Sequence, residues 1–502
     1  MRKFFKTVAI VTVFSICEKF LGFLYRIYLS RTIGSEGIGL YQVALSVFAL
    51  LLTLTCSGTP ITVSRLMTKY RALGDEKRVQ KIITAGLCFT FLLALPIALV
   101  FMIFGSHFAF LFADERCLRI FIIVIPGLIF TSVYAVLRGV FWGNKDFLPY
   151  SVTELLEEIC MIIVGIFLIE RSTSATNGAE RAGLAVLISY IFSFSLASIV
   201  FFLRKNKLKN PKSEFRPLLA SAMPITAMRT STSITSSLMS VILPLRLISA
   251  GFDNGQALSL FGSAVGQAFP LLTIPTTLIG SFILVLVPEI SENYYSGNTL
   301  KLKRDVEKAL KFSTLLTCLF VPIFLVCGQE IGVLIFNNSF TGKFTSYSAF
   351  LMPLMSLSSV TTSVLNSIGL ENKTLLYYII GGGLMLLCIW FLPSFLGIYA
   401  LLVGFTCVYG LTTILNLILL NKHCPFRKGQ LKFLSTTFLI IIPTCLFGFL
   451  LKNILISPLG ITLTLLICAI CMAVAMGLLY LICDLVKLDF FIKPKGKLKT
   501  FP

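Results

Sequence analysis

Six basic residues lie inside stretches that are otherwise apolar: Lys19, Arg26, Arg65, Arg138, Arg229 and Arg246. A charge at the centre of a bilayer costs roughly 2.5–3.5 kcal/mol on insertion scales, so such residues face a watery cavity, pair with acids or snorkel. In the first stretch, Thr12, Ser15, Lys19, Gly22 and Arg26 are spaced by three and four residues, which lines one helical face. Pairing with Glu18 neutralises at most one of its two positive charges. A later stretch repeats the pattern with Thr226, Arg229, Ser233, Ser236 and Ser240, bracketed by Pro224 and Pro244, which can bend a helix. Hydroxyl stripes also pack helices together, a reading that covers the serines more readily than Arg229. Arg65, Arg138 and Arg246 fall near the ends of their stretches, where snorkelling is one reading and a place in the cavity the other.

The acids are fewer. Glu154, Glu157 and Glu158 open one helix, where acids suit the helix dipole. Glu289, after Pro288, ends another and can gate a mouth by pairing with a base. Glu18 and Glu289 are therefore the candidates for gating or ion coupling. The six bases are the candidates for substrate binding, led by Lys19, Arg26 and Arg229. A mostly positive cavity selects an anion, and arginine presents forked donors that match phosphate oxygens.

Other chemistry finds little support. There is no GxxxxGK[ST] loop for nucleotide phosphates, no nucleophile–base constellation and no metal-ligand cluster. The two histidines, His107 and His423, are far apart, and the fourteen cysteines lie mainly in apolar runs. Cys468 and Cys471 form a CxxC inside a hydrophobic helix, without the histidines or carboxylates that a metal site would add. No enzyme activity and no cofactor are expected.

The elements that position these residues follow from composition. The chain has 502 residues, of which 56% are hydrophobic and 13% charged, against about 45–50% and 25% in soluble domains. A spanning helix needs about 20 mostly apolar residues. Runs of that kind fall at 7–30, 40–67, 82–104, 118–141, 151–169, 182–203, 218–249, 259–287, 309–327, 346–368, 374–393, 396–420, 433–451 and 459–486. The short links between them leave no room for a soluble domain. Arg2, Lys3 and Lys6 precede the first run as in a signal peptide, but Glu18 and Lys19 interrupt it and no small-residue cleavage site follows. It reads as a retained first helix. The predicted class is an all-α polytopic membrane protein of about fourteen transmembrane helices.

With the amino terminus in the cytoplasm, thirty of the 43 basic residues fall in inside segments and seven in outside ones. That asymmetry puts both termini in the cytoplasm of a cell-membrane protein. It also accounts for the basic excess without nucleic acid. The tail Lys493–Lys499 is expected against anionic membrane lipids.

The chain also repeats itself at an offset near 225. VLRGVFWGNK at 136–145 matches VLNSIGLENK at 364–373, Tyr41-Gln42 corresponds to Gly266-Gln267, and Pro96 to Pro322. Two parallel six-helix lobes follow, 1–210 and 211–425, with 426–502 as two additional helices and a basic tail. Lobes so related bind substrate between them near the midplane and rock to alternate access.

ICEKFLGFLYRIYLSRTIGSEGIGLYQ (16–42), SGTPITVSRL (57–66) and LRGVFWGNKD (137–146) resemble the MOP flippase superfamily, nearest to its polysaccharide-transporter branch of the stage V sporulation protein B type. The resemblance implies fourteen helices in two lobes. It also implies export of an undecaprenyl-pyrophosphate-linked saccharide, a peptidoglycan precursor or polysaccharide unit, with cell-wall synthesis proteins as potential partners. Lipid II flippases of the superfamily carry a basic residue, two apolar residues and Gly-Phe in helix one, which Lys19-Phe20-Leu21-Gly22-Phe23 matches. Their next Arg-Asp pair is altered here: Arg26 comes one position later and no Asp follows. Two other readings remain: a cation-coupled multidrug exporter of the same superfamily, which needs buried carboxylates, and a non-transporting scaffold of a cell-wall synthesis complex.

Overall fold

The computed structural model describes residues 2–204, 207–424 and 429–485, and their side chains except at 2–10, 12, 281, 284, 285, 288, 429–432 and 456–459. The tail Lys493–Lys499 and the side chain of Thr12 fall outside that description. Every regular element among the described residues is helical. Apolar runs this long must satisfy their backbone groups internally, and the helix does so within one segment.

Seventeen α-helices follow one another among the described residues. The first nine are α1 (Arg2–Cys56), α2 (Thr59–Ala72), α3 (Glu76–Ile103), α4 (Glu115–Val124), α5 (Gly127–Gly143), α6 (Phe147–Ile169), α7 (Ala175–Leu203), α8 (Phe215–Ser249) and α9 (Asn254–Phe261). A π-helical segment, Gly262–Ala268, leads into α10 (Phe269–Tyr295). Then come α11 (Thr299–Phe336), α12 (Ser339–Ser348), α13 (Leu351–Ser367), α14 (Glu371–Phe391), α15 (Pro393–Leu396), α16 (Ala400–His423) and α17 (Gly429–Ile482). Starts are set by side-chain caps. Asp75, Asp114, Ser174, Asp253 and Asn298 each accept a backbone N–H of the helix that follows.

Among the described residues, ten helical stretches are long and apolar enough to cross a membrane, or up to twelve if each bent pair counts as one span. The first apolar stretch, Val13–Ala72, runs 60 residues, and Gly34 (φ 69°, ψ 179°) breaks the helical path inside it. α6 has the length of a span with 23 residues, but it carries three glutamates. Counting that break and α6 brings the total to the expected fourteen. A second left-handed glycine, Gly460 (φ 71°), divides α17. The fourth and tenth expected spans are both bent pairs: α4 meets α5 at 47° and α12 meets α13 at 55°. Pro96 and Pro322, matched in the repeat, lie inside α3 and α11.

The chain clusters into two compact units. The first holds residues 1–267 and 386–401, the second 268–385 and 402–502. In the first, Val63, Met67, Ile82, Phe141 and Phe201 bring α2, α3, α5 and α7 into one apolar core. In the second, Ile279, Val306, Val360 and Leu420 do the same for α10, α11, α13 and α16. Buried hydroxyls such as Thr314, Thr317 and Thr361 donate to backbone carbonyls of their own helices, so they add no unsatisfied donor. Large apolar side chains such as Phe91, Phe167, Phe202, Leu450 and Ile470 are exposed, as a lipid-facing surface requires.

Candidate functional site

The first unit gathers most of the charge that lies within spans. Arg138 on α5 donates to Glu154 on α6 at 3.0 Å, with side chains 31% and 18% exposed. The same guanidinium lies over the Trp142 ring, 5.4 Å from its centroid. Arg138 is thus tied to an acid on the next helix rather than extended to the interface. Glu157 and Glu158 share α6. Glu158 reaches α1 so closely that a Cβ on Gly22 would fall 2.8 Å from its Oε1. Glycine at that position lets a carboxylate approach the helix that carries Lys19 and Arg26. Glu18 lies on the same helix, with Glu154, Lys19 and Arg138 within electrostatic reach.

Arg26 points elsewhere. Its Nη1 donates to the Gly266 carbonyl at 3.1 Å, 240 residues along the chain. Gly266 belongs to the π-helical segment, where the i→i+5 pattern frees carbonyls for such contacts. Nearby, Gln267 Nε2 donates to Ser30 Oγ at 2.8 Å, and the hydroxyls of Ser35 and Ser259 meet at 2.6 Å. A Cβ on Gly39 would lie 2.0 Å from the Leu258 carbonyl oxygen, and one on Gly262 equally near that of Ser35. Only paired glycines allow this approach of α1 to α9 and the π segment.

α8 packs along α1 and α2. Thr226 Oγ1 accepts from the Gly58 N–H at 3.2 Å, and Ser237 donates to the Ser46 carbonyl at 2.6 Å. Of the stripe on α8, Thr226 is therefore a packing contact and Ser240 is buried, while Arg229 and Ser236 are exposed. Lys19 is exposed too. Arg65 donates to Ser221 Oγ at 2.7 Å. Arg246 donates to the Trp390 carbonyl at 2.8 Å and lies over that ring. In the second unit, Glu289 is exposed on α10. Among the described residues, Arg138 alone of the six bases forms an ion pair.

Sequence reasoning missed two strong contacts. Glu214, fully buried before α8, accepts from Tyr70 Oη at 2.6 Å and Arg78 Nε at 3.0 Å. Lys452 Nζ meets Glu330 Oε1 at 2.6 Å, and both side chains are 15% exposed. The signal for the second was available, since a lone lysine at the end of one apolar run and a lone glutamate at the end of another each need a partner. Among the described residues no group of three or more His, Cys, Asp or Glu could hold a metal ion.

Comparison with known proteins agrees with this architecture. "Stage V sporulation protein B" of Bacillus subtilis (strain 168) is 26% identical over 390 residues, 75% of each chain. The solved "Lipid II flippase MurJ, inward closed conformation" superposes with TM-score 0.73 at 17% identity, over 95% of this chain and all of that one. An inward-facing multidrug resistance MATE transporter of the MOP superfamily gives TM-score 0.66 at 15% identity, over 84% of this chain and 95% of the other. The fold is that of multi-pass, all-α transporters of this superfamily. The family described as "Polysaccharide biosynthesis protein" matches residues 4–294, more than half of the chain, and the protein belongs to that family.

Proposed function

We propose that this protein flips an undecaprenyl-pyrophosphate-linked saccharide outward across the cell membrane by alternating access. One observation carries the reading: Lys19, Arg26, Arg65, Arg229 and Arg246, all in apolar stretches, make no ion pair among the described residues. Unpaired cations at membrane depth are costly unless they meet water or an anion. A pyrophosphate offers the oxygens that forked guanidinium donors bind. The name of one similar protein, a lipid II flippase, supports the same substrate class.

In this reading the lobes follow the repeat, 1–210 and 211–425, with 426–502 appended. Lys19 and Arg229 line the cavity from opposite lobes. Arg26 is held on the Gly266 carbonyl while the cavity is empty and turns to the pyrophosphate when it arrives, loosening α1 from the π segment. Both termini lie in the cytoplasm. Cysteines placed at Lys207 and Lys497 should resist an impermeant reagent in intact cells, and labelling from outside would reverse the topology.

Glu18, Glu154, Glu157 and Glu158 favour one second reading, a cation-coupled exporter of cationic drugs. The discriminating experiment reconstitutes the purified protein in vesicles and offers lipid II, other pyrophosphate-linked glycans and a cationic dye. Flipping of a pyrophosphate-linked glycan without dye transport is the expected result. Dye transport alone would select the exporter, and a protein that moves none of them would fit a scaffold.

A further inference from the structure

One open pocket in the first unit stands apart from the charged residues above. It has a volume of about 820 Å³ and is lined by Ser35, Glu36, Phe252, Gly255, Gln256 and Ser259 among others. Pockets of this size accept small molecules. The break at Gly34 turns Ser35 and Glu36 away from the preceding helical path. Gly255 leaves room at the wall, since a Cβ there would sit 3.1 Å from Glu36 Oε1.

The polar groups are fixed in place. Glu36 Oε1 accepts from Arg116 Nη1 at 2.7 Å. Arg116 is itself held by Asp114 at 2.9 Å and by the Thr176 hydroxyl at 3.3 Å. That leaves Glu36 Oε2 as an oriented acceptor. Gln256 Oε1 accepts from the Asp253 N–H, which turns its amide N–H groups outward as donors. The Ser35 and Ser259 hydroxyls share one hydrogen between them, so the pair keeps one hydrogen to donate. The half-buried Phe252 ring packs against Gly397, where a Cβ would be 3.6 Å from the ring edge.

These walls discriminate between ligand classes. Two carboxylates, Glu36 and Asp253, flank Gly255, and the nearby Arg116 is already committed to Glu36 and Asp114. An anion is repelled. A purely apolar ligand would strand oriented donors and acceptors without partners. A neutral polyhydroxyl molecule with one apolar face satisfies the hydroxyls, the amide, the carboxylate and the ring together.

We propose that this pocket is a docking site for the neutral saccharide portion of the exported molecule on the outer face. The assignment rests on the flippase reading and its orientation. In that arrangement the pyrophosphate engages the cations on α1 and α8, and the pocket takes the sugar once it has crossed.

The test uses the full-length protein in nanodiscs with soluble probes. Saturation-transfer NMR is run with N,N′-diacetylchitobiose, inorganic pyrophosphate and tetramethylammonium. The expected result is saturable binding of the disaccharide alone, weakened at least tenfold by Phe252→Ala and by Gln256→Ala and unchanged by Lys19→Ala. Gln256 is exposed, so its variant serves if Phe252→Ala fails to fold. Disaccharide binding that ignores both substitutions, preferential binding of either ion, or no disaccharide binding by folded protein would overturn the site. Absence of glycan flipping by the unsubstituted protein, with disaccharide binding retained, would instead remove the flippase reading and leave the pocket standing.

Discussion

α6 and α14 stand at the same place in the two halves of the chain, each following a bent helix pair. Their chemistry is opposite. α6 carries Glu154, Glu157 and Glu158, and Arg138 on the preceding helix pairs with the first of them. In the repeat register, Gly382, Met385 and Leu386 take the places of those glutamates and Asn366 that of Arg138. Asn366 accepts a hydrogen bond from Thr374 at 2.7 Å. The matched positions are charged in α5 and α6 and neutral in α13 and α14. The interior ion pair of the second unit, Lys452–Glu330, comes instead from the appended helix α17 and the end of α11. On the proposed reading, charge-linked work falls to the first unit and a staple to the second.

The largest expected effect is on transport. Lys19→Ala and Arg229→Ala should each abolish flipping while the protein still reaches the membrane, because an unscreened phosphate loses its counter-charge. Wild-type flipping by both variants would remove the cationic path. Misfolding of both, read from membrane expression, would place the residues in packing instead.

A staple should behave otherwise. Glu330→Ala leaves Lys452 largely buried without its acid, a change that costs roughly 3 kcal/mol when a buried pair loses one partner. Thermal unfolding in detergent should fall sharply, while the molecules that remain folded keep their flipping rate. A loss of rate at unchanged stability would mean that the second unit also handles charge.

Arg138→Ala and Glu154→Ala should cost less, roughly 2 kcal/mol each, since about a third of the arginine remains exposed. The double variant should be less destabilised than the sum of the two, as expected of groups in direct contact. Additive losses would show that the pair is a proximity without coupling, and that α6 is no more charge-dependent than α14.

The smallest effect concerns the cluster of Asp114, Arg116 and Glu36. Burial pushes the Asp114 carboxyl up, but hydrogen bonds from the Arg116 side chain and backbone outweigh it and hold the carboxyl below the usual range. A depressed carboxylate contributes stability above its unfolded value, about 3.9, and loses it as pH falls through the lower folded value. Asp114→Asn should therefore cost about 1 kcal/mol at neutral pH and flatten stability in the acid range. An unchanged acid limb would detach Asp114 from the stability of this face.

Much of the fold was legible because bilayer depth sets the length of apolar runs. The stretches matched in the repeat are bent helix pairs in both cases, and both matched prolines lie inside helices. The continuation of α1 past residue 30 was not legible, because Arg31 and Glu36 look like a loop between spans, whereas Gly34 breaks a helix that resumes at once. The candidate site was legible in residue type and only partly in geometry. Spacing predicts cationic faces on α1 and α8, and the structure holds Arg26 of the first on a carbonyl and Thr226 of the second in a packing contact. It could not show that Glu158 fills the notch at Gly22, nor that Arg26 reaches a carbonyl 240 residues away. Such contacts depend on which helices cross, and neither hydropathy nor period carries that information.

The account turns on an anion crossing the membrane through fixed positive charge. A bacterial cell is electrically negative inside, and each charge that crosses the field is worth roughly 2.3 kcal/mol per 100 mV. A pyrophosphate bearing about two negative charges gains roughly twice that on leaving, provided the cavity's own cations stay behind. The direct measurement is outward flipping of a pyrophosphate-linked glycan in sealed vesicles. A potential, negative on the cytoplasmic side, is imposed with potassium and valinomycin at equal pH on both faces. Flipping that rises with the imposed potential is the predicted result. Flipping that ignores the potential and follows a pH gradient would contradict the mechanism and give the coupling to Glu18 or Glu289.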